Sequence, residues 1–487
     1  MHPVAMIFFW AELAPARPAV VQPDMVITYR ALADAIASVS RRVEELGLAR
    51  EEPVAVCIES PAKLLSVSLA LLHRGFLVAP IGRGNLLYLL SAGVKNVIYD
   101  TEGLVLSGGR NIRFEDSWLR AASDSAAKAA AFERNRATEG SLIFFTSGTT
   151  GRPKKTIHTR ATQLHRLHVS GLTGEADFST VLFMPGLGGS YGFNRGCAVL
   201  YKGCTMCVGA LAETAAAFTA TFNVELLIAS PAQAAALAEF VEKKPGYDFA
   251  CLKEIRIAGS AVSQDLIHRI QSAVCRNVVI EYASTEAGVI ALAPYDAIRD
   301  VPGAAGILAP WAELEIVDKA GNVLPRGEEG IIRCRTAAFT ASFAANNPNS
   351  GADPDQAWWY PGDIGRLNER QIVVVTGRTD DLINRGGVKA SAVALDEIIS
   401  SLADIRDAGV CSVPGDKGLE ELWVAVVAER PIDLAALKRS IEASLPMPLD
   451  RLFQIEEIPR TDLGKIRRHE LRERLLPLKP DYSNGRQ

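Results

Sequence analysis

The feature that most constrains this chain is a repeated alternation of short apolar runs with longer amphipathic stretches. "PVAVCI" (53–58) reads as a strand, "AKLLSVSLALLHRG" (62–75) as a helix, and "FLVAPIG" (76–82) as a second strand. The rhythm returns at "VELLIAS" (224–230), "QAAALAEFVEKK" (233–244), "LKEIRIAG" (252–259), "SQDLIHRIQSAV" (263–274) and "NVVIEYAS" (277–284). A continuous apolar run of this length fits a strand covered on both faces. Strand–helix–strand order then gives a parallel sheet with covering helices. Upstream, Leu32, Ile36, Val39, Val43 and Leu46 are spaced four, three, four and three apart, which is one face of a helix. The expected fold class is α/β. At 487 residues the chain exceeds what one core usually carries, so two or more domains are expected. After about residue 377 the pattern changes: strands "AGVCSV" and "LWVAVVAE" alternate with helices near 392–402 and 433–445. This is a small α+β unit. The boundaries are therefore set at 1–377 and 378–487. "ANNPNSGADPDQA" (345–357) is read as a surface loop.

Composition narrows the functional classes. Hydrophobic residues make up 48% and charged residues 22%, and the net charge is −4, so bulk attraction to nucleic acid or to an anionic membrane is not indicated. The apolar stretch Val4 to Trp10 is too short to span a bilayer and reads as a packed first element. No membrane span and a cytoplasmic location are expected. Of the eight cysteines only Cys204 and Cys207 form a CxxC. Their flanks are apolar and no second pair accompanies them, so a buried strand is expected rather than a zinc site.

The stretch "SLIFFTSGTTGRPKKT" (141–156) ends an apolar run in a loop rich in hydroxyls and backbone N–H groups, followed by two lysines. Such a loop suits phosphate, with a lysine to neutralise charge. The Walker spacing fails, because Gly148 and Gly151 are three apart and no GK[ST] ends the run. Four further stretches accompany it. "YASTEAG" (282–288) offers an aromatic face, a hydroxyl and a carboxylate together. "YPGDIGRL" (360–367) puts Asp363 in a Gly turn. "GRTDDLINRGGVK" (377–389) is a charged, Gly-rich turn, and "PRTDLGKIRRHEL" (459–471) sets Lys465 after Gly464.

Taken in this order, the five stretches resemble the adenylate-forming superfamily of acyl-CoA synthetases, peptide-synthetase adenylation domains and firefly-type luciferases, over nearly the whole chain. The resemblance is closest to acyl- and aryl-CoA ligases. It implies a large N-terminal domain and a small mobile C-terminal one, and it implies a reaction. A carboxylate attacks the α-phosphorus of ATP, and a thiol then displaces AMP from the acyl-adenylate. By the same resemblance, Thr146, Ser147, Gly148, Thr149, Thr150, Gly151 and Lys154 meet the β- and γ-phosphates, and Tyr282 stacks on adenine. Thr285 bonds the α-phosphate, and Glu286 holds Mg²⁺, a hard cation suited to carboxylate oxygens. Asp363 takes the ribose hydroxyls. Arg378, Lys389, Gly259 and Ser260 complete the nucleotide site, and Lys465 stands where negative charge develops. The resemblance also implies that Asp380 is the pivot between the domains.

Three positions depart from the family pattern: Lys155 where Gly is usual, Ala283 within "YASTE", and Lys389 where an Arg is usual, which keeps the charge but loses the bidentate fork. The segment "MPGLGGSYGFNRG" (184–196) holds no carboxylate to meet an α-ammonium group, which argues against α-amino acids because an unpaired buried charge is costly. Gly188, Gly189, Ser190, Tyr191, Ala258, Ala283 and Gly288 are expected to line the acid pocket, and the small residues among them leave room for a fatty or aromatic acid. His165 and His168 are expected on a helix surface. The expected cofactors are ATP, Mg²⁺ and coenzyme A. Two alternatives are a carrier protein's phosphopantetheine as thiol acceptor, and a degenerate nucleotide-binding relative.

Overall fold

The computed structural model describes residues 3–81, 94–100, 109–120, 140–146, 154–174, 178–346, 353–379, 382–385, 388–402, 404–414, 420–428, 430, 433–445, 448–461, 464–478 and 482–483. The chain forms two compact units. One comprises Met1–Ile298, Leu308–Glu313 and Cys334–Trp359; the other comprises Arg299–Ile307, Leu314–Arg333 and Tyr360–Gln487.

The first unit is the α/β part. In one sheet the strands run in the order Arg110–Arg113, Asn96–Tyr99, Val54–Cys57, Leu77–Pro80, Ser141–Thr146 and Lys154–His158. All neighbours are parallel except the last pair. In the other, Glu254–Ala258 lies between Val278–Ser284 and Leu226–Ala229. Next come Thr180–Phe183, Thr205–Val208 and Pro18–Gln22, all parallel. Gly288–Pro294 and Met25–Thr28 add antiparallel partners at either side. The strands Val54–Cys57, Leu226–Ala229 and Glu254–Ala258 are buried along their whole length, which is why their sequences do not alternate. Helices Tyr29–Glu45 and Pro61–His73 pack their apolar faces into the same core. The first is capped by Thr28, whose side chain accepts from the Ala31 N–H. Tyr29 is fully buried and donates to the carbonyl of Cys204 at 2.7 Å, tying this helix to the segment after Ser190–Tyr201.

Val4 to Trp10 lies in the helix Pro3–Leu13. Cys204 and Cys207 are both buried, with Cys207 in the strand Thr205–Val208 and its thiol pushed up to about 12 by burial. The loop expected at 345–357 differs. Its first residues end the helix Ala337–Asn346, because the alanine-rich "AAFTASFAAN" carries the helix past the expected boundary, and a 3-10 turn follows at Pro354–Gln356.

In the second unit most strand pairs are antiparallel, although Glu420–Ala428 and Arg451–Gln454 run parallel. Asp363–Leu367 pairs with Ile372–Arg378, which pairs with Ala304–Leu308. A hairpin joins Leu382–Arg385 to Val388–Ser391. Ile405–Pro414, Glu420–Ala428, Arg451–Gln454 and Tyr482–Ser483 form a four-stranded sheet, accompanied by the helices Ala392–Ser400, Leu434–Ser444 and Arg468–Leu475. Among the described residues no helix is long and apolar enough to cross a membrane.

Candidate active site

In the first unit the predicted residues collect at the carboxyl ends of the parallel strands. Phe183 stands opposite Ile228, Ala229 opposite Ile257, and Ala258 opposite Glu281, so these strands finish side by side. Open parallel sheets place ligands outside this edge. Ala258 closes one strand, and Gly259 and Ser260 follow it. Gly188 and Gly189 precede the helix Ser190–Tyr201, with Gly189 at its N-cap. Ser190 is buried and Tyr191 half-buried.

Thr285 and Glu286 sit in a tight hairpin. Tyr282 pairs with Ala291, Ala283 with Val289, and Ser284 with Gly288, leaving Thr285, Glu286 and Ala287 as the loop. Gly288 takes φ +77°, the left-handed conformation that a three-residue hairpin asks of the residue closing it. Ser284 Oγ accepts from the Ala287 N–H at 2.9 Å, and Thr336 Oγ1 donates to the Ala287 carbonyl at 2.7 Å. The carbonyl of Thr285 receives two side chains. His158 Nε2 lies at 2.9 Å and Arg166 Nη2 at 2.5 Å. Thr156 Oγ1 is 3.4 Å from Glu286 Oε1.

His158 is fully buried. Its Nε2 must donate to the carbonyl, so Nδ1 is the acceptor, and Asn194 Nδ2 faces it at 3.4 Å while donating to the Ser190 carbonyl at 2.7 Å. Burial first, and the Arg166 charge second, hold its pKa well below the usual histidine value, so the ring is neutral. Burial also lowers Arg166 to about 10, against the pull of Glu286, and it stays charged at neutral pH. A further ion pair lies beside Tyr282. Arg195 Nη2 meets Glu281 Oε2 at 2.5 Å, both side chains are buried, and the Arg195 guanidinium lies 5.2 Å from the Tyr191 ring centroid.

His158, Arg166, Asn194, Arg195 and Glu281 were not anticipated from the sequence. A signal existed for two of them. Strand alternation puts His158 on the same face as Thr156. Helical spacing puts Arg166 in line with Thr162, Gln163 and Ser170, which are buried. His168 is exposed, as expected for a helix surface, but His165 is half-buried with Nε2 enclosed, because it flanks this inward stripe.

The strand end Thr146 pairs with Lys154 across an antiparallel register, so the stretch expected to meet phosphate runs between them. Ser147, Gly148, Thr149, Thr150 and Gly151 lie outside the described residues, as does Asp380. Lys155 is exposed.

The second unit carries the remaining predicted residues. Asp363 is buried and begins its strand directly after Gly362; Arg378 pairs with it across the ladder, with Nε 3.7 Å from Oδ1. Arg378 Nη2 also donates to the Pro361 carbonyl at 2.9 Å. Lys389 stands opposite Asn384 in the hairpin. Lys465 is exposed on a turn in which the Thr461 N–H donates to its carbonyl at 2.7 Å and its own N–H donates to Thr461 Oγ1 at 3.1 Å.

Among the described residues no group of three or more His, Cys, Asp or Glu can hold a metal. A half-buried carboxylate in a hairpin loop, as Glu286 is, fits a cation such as Mg²⁺, which needs only one or two carboxylates when phosphates supply the rest.

The chain belongs to the AMP-binding enzyme family, whose model matches residues 7–342, and so to the adenylate-forming superfamily. It is an AMP-forming ligase of the acyl-CoA synthetase type. It is 28% identical over 361 residues to a 4-chlorobenzoate–CoA ligase from an Arthrobacter species, covering 71% of this chain and 68% of that one. It is 26% identical over 512 residues to a salicylyl-CoA synthase/salicylate adenylyltransferase from a Streptomyces species, covering 95% and 92%. The fold matches that of o-succinylbenzoate CoA synthetase from Bacillus subtilis in complex with its acyl-adenylate. That match has a TM-score of 0.77 at 18% identity and covers 96% of this chain and 97% of that one.

Proposed function

We propose that the chain is an acid–CoA ligase that adenylates a fatty or aromatic carboxylic acid, not an α-amino acid, and passes the acyl group to the thiol of coenzyme A. The carboxylate oxygen attacks the α-phosphorus of ATP and pyrophosphate leaves. The thiol sulfur then attacks the acyl carbon, the bond to AMP breaks, and the thiol proton passes to solvent. The observation that carries the reading is the Thr285–Glu286 hairpin at the carboxyl edge of the parallel strands, its first carbonyl held by His158 and Arg166. With the hairpin so held, the Thr285 hydroxyl meets the α-phosphate and the Glu286 carboxylate would hold Mg²⁺, which when bound neutralises phosphate charge. Thr146, Ser147, Gly148, Thr149, Thr150, Gly151 and Lys154 cradle the outer phosphates. Tyr282, Gly259, Ser260, Asp363, Arg378 and Lys389 hold the nucleoside, and Lys465 stabilises the charge that builds during attack. The acid lies against Gly188, Gly189, Ser190, Tyr191, Ala258, Ala283 and Gly288. The relatives acting on 4-chlorobenzoate and salicylate support an aromatic acid within this class. The two functional domains are 1–377 and 378–487, turning about Asp380 between the half-reactions.

The test is acid-dependent pyrophosphate release with 4-chlorobenzoate, salicylate, octanoate and the α-amino acids. It is followed by acyl transfer to coenzyme A or to a holo carrier protein. Release with an aromatic or fatty acid and transfer to coenzyme A is the expected result. Release only with amino acids, or none with any acid, overturns it. Transfer confined to the carrier protein replaces the acceptor.

A further inference from the structure

The turn that carries Lys465 is held by arginines on both sides, each belonging to a fork within the second unit. Arg460 Nε and Nη2 meet the two carboxylate oxygens of Asp407 at 3.1 and 2.6 Å, and Nη1 of the same guanidinium donates to the carbonyl of Gly464 at 2.6 Å. Asp407 belongs to the strand Ile405–Pro414. Arg460 thus joins a sheet strand to the peptide immediately before Lys465. Beyond the lysine, Arg468 meets Asp396 at 2.5 and 3.2 Å and donates to the Val410 carbonyl at 2.6 Å, while Asp396 also accepts from the Val410 N–H at 2.7 Å. Between the two anchors the backbone closes on itself. Arg460 and Ile466 form an antiparallel bridge, and the Arg467 N–H donates to the Pro459 carbonyl at 2.8 Å. Gly464 takes φ +79°.

We infer that Arg460, oriented by Asp407, is a positioning residue for Lys465: it fixes the Gly464–Lys465 peptide so that the lysine enters the adenylation step at one place. This rests on the role given to Lys465 under Proposed function. The physical reason is the fork. A planar guanidinium that spends two N–H groups on Asp407 has its third nitrogen aimed in one direction, toward the Gly464 carbonyl. An ammonium in its place keeps the charge but not the direction. Lys465 has a long, flexible stem and an exposed position, so the base of its side chain must be fixed by the backbone. A misplacement of about 1 Å at a reacting centre costs on the order of 10²-fold in rate.

The experiment uses the full-length chain with whichever of 4-chlorobenzoate, salicylate or octanoate gives pyrophosphate release. Four variants are compared: R460A, R460K, D407N and K465A. Adenylation is followed by pyrophosphate release, and thioester formation is followed separately from synthetic acyl-adenylate and coenzyme A. R460A is expected to lower adenylation by about 10–100-fold and thioester formation by less than about 3-fold, with D407N between it and wild type. R460K is expected to recover only part of the loss, and melting curves of R460K and D407N are expected to match wild type. Equal losses in both half-reactions mean a structural role only and overturn the inference. Full adenylation in R460A and D407N beside a large loss in K465A overturns the inference while leaving Lys465 in place. No loss in K465A overturns the role of Lys465 and the inference with it.

Discussion

Two turns carry the chemistry proposed for this enzyme, and they are held in opposite ways. In the first unit the Thr285–Glu286 hairpin is gripped from inside. His158 is fully buried, and the neighbouring Arg195–Glu281 pair has side-chain exposures of 7% and 0%. In the second unit the Lys465 turn is gripped from outside, by Arg460 and Asp407 with exposures of 36% and 28%. A buried charge needs its partner, because desolvation has removed the alternative of water. A surface pair has that alternative, so its energy is small and its value lies in direction. Damage to the inner grip should therefore appear first as lost stability. Damage to the outer grip should appear as lost rate in a folded protein.

The largest expected effect tests the inner side. Replacing Arg195 with Met leaves Glu281 buried without its ion partner and should cost about 3–5 kcal/mol of unfolding free energy, measured by denaturant titration. Adding Glu281→Leu should recover much of that loss, because an apolar pair of similar volume avoids the desolvation cost. If R195M unfolds at the wild-type denaturant concentration, the pair is not buried as described and the contrast between the two turns fails.

Next comes the outer side. Lys465→Ala should slow adenylation by about 10²–10³-fold, the size of losing one preorganised charge-stabilising group. Its melting temperature should stay within a degree or two of wild type, since an exposed side chain on a turn seldom governs stability. A K465A protein that is slow and also markedly less stable would place this turn with the buried class.

How far the sequence discloses these two turns follows from the same contrast. The parallel strands are plain in it because burial on both faces demands unbroken apolar runs such as Ile255 to Ala258. The turns are plain because Gly288 and Gly464 punctuate them. The Lys465 turn is closed by Arg460 and Thr461, which stand in the very stretch that marks it, although Asp407, which orients Arg460, lies 53 residues away. The inner grip is not local. His158 and Arg166 reach Thr285 across 127 and 119 residues, and Arg195 reaches Glu281 across 86. One arginine on a helix and one histidine on a strand carry no sign of such a partner. The antiparallel strand Asp363–Leu367 of the second unit is also faint, since Asp363 reads as part of a Gly turn when it is the first residue of that strand.

A smaller effect concerns pH. The folded pKa of His158 lies well below 6.5, chiefly through burial, with the Arg166 charge beside it and Glu286 acting in turn on Arg166. The unfolded chain therefore binds a proton that the folded chain does not, over the interval below about pH 6.5. Stability is fully present above that value and falls as pH drops through it, by at most about 1.4 kcal/mol per pH unit for this one group. His165 is lowered in the same direction by burial and adds to the slope. Denaturant titrations at pH 7.5, 6.0 and 5.0 should show a shallower fall in His158→Gln than in wild type, and His165→Gln serves as the second reference. Equal slopes in wild type and H158Q would mean that this histidine is solvated rather than enclosed.

The smallest effect compares two glycines. Gly288 closes the inner turn at φ +77° and Gly464 the outer one at φ +79°, so an alanine at either must hold a left-handed backbone at a cost of about 1–2 kcal/mol. The surroundings differ. A Cβ on Gly288 would meet the Arg166 guanidinium at 3.6 Å, an ordinary contact that leaves the strain unrelieved and unescaped. Gly464 lies in a half-exposed turn, where the backbone can relax by shifting the lysine that follows. Gly288→Ala should therefore lose stability by about the full strain. It should lower adenylation and thioester formation together, since the proposed roles keep Thr285 and Glu286 with the adenylate through both. Gly464→Ala should keep most of its stability and lose adenylation several-fold, with thioester formation from preformed adenylate nearly unchanged. The pair of half-reaction rates, read beside the two denaturation midpoints, checks this. Should G464A lose stability as G288A does, with no split between half-reactions, the outer turn would be as rigidly built in as the inner one, and direction would no longer distinguish it.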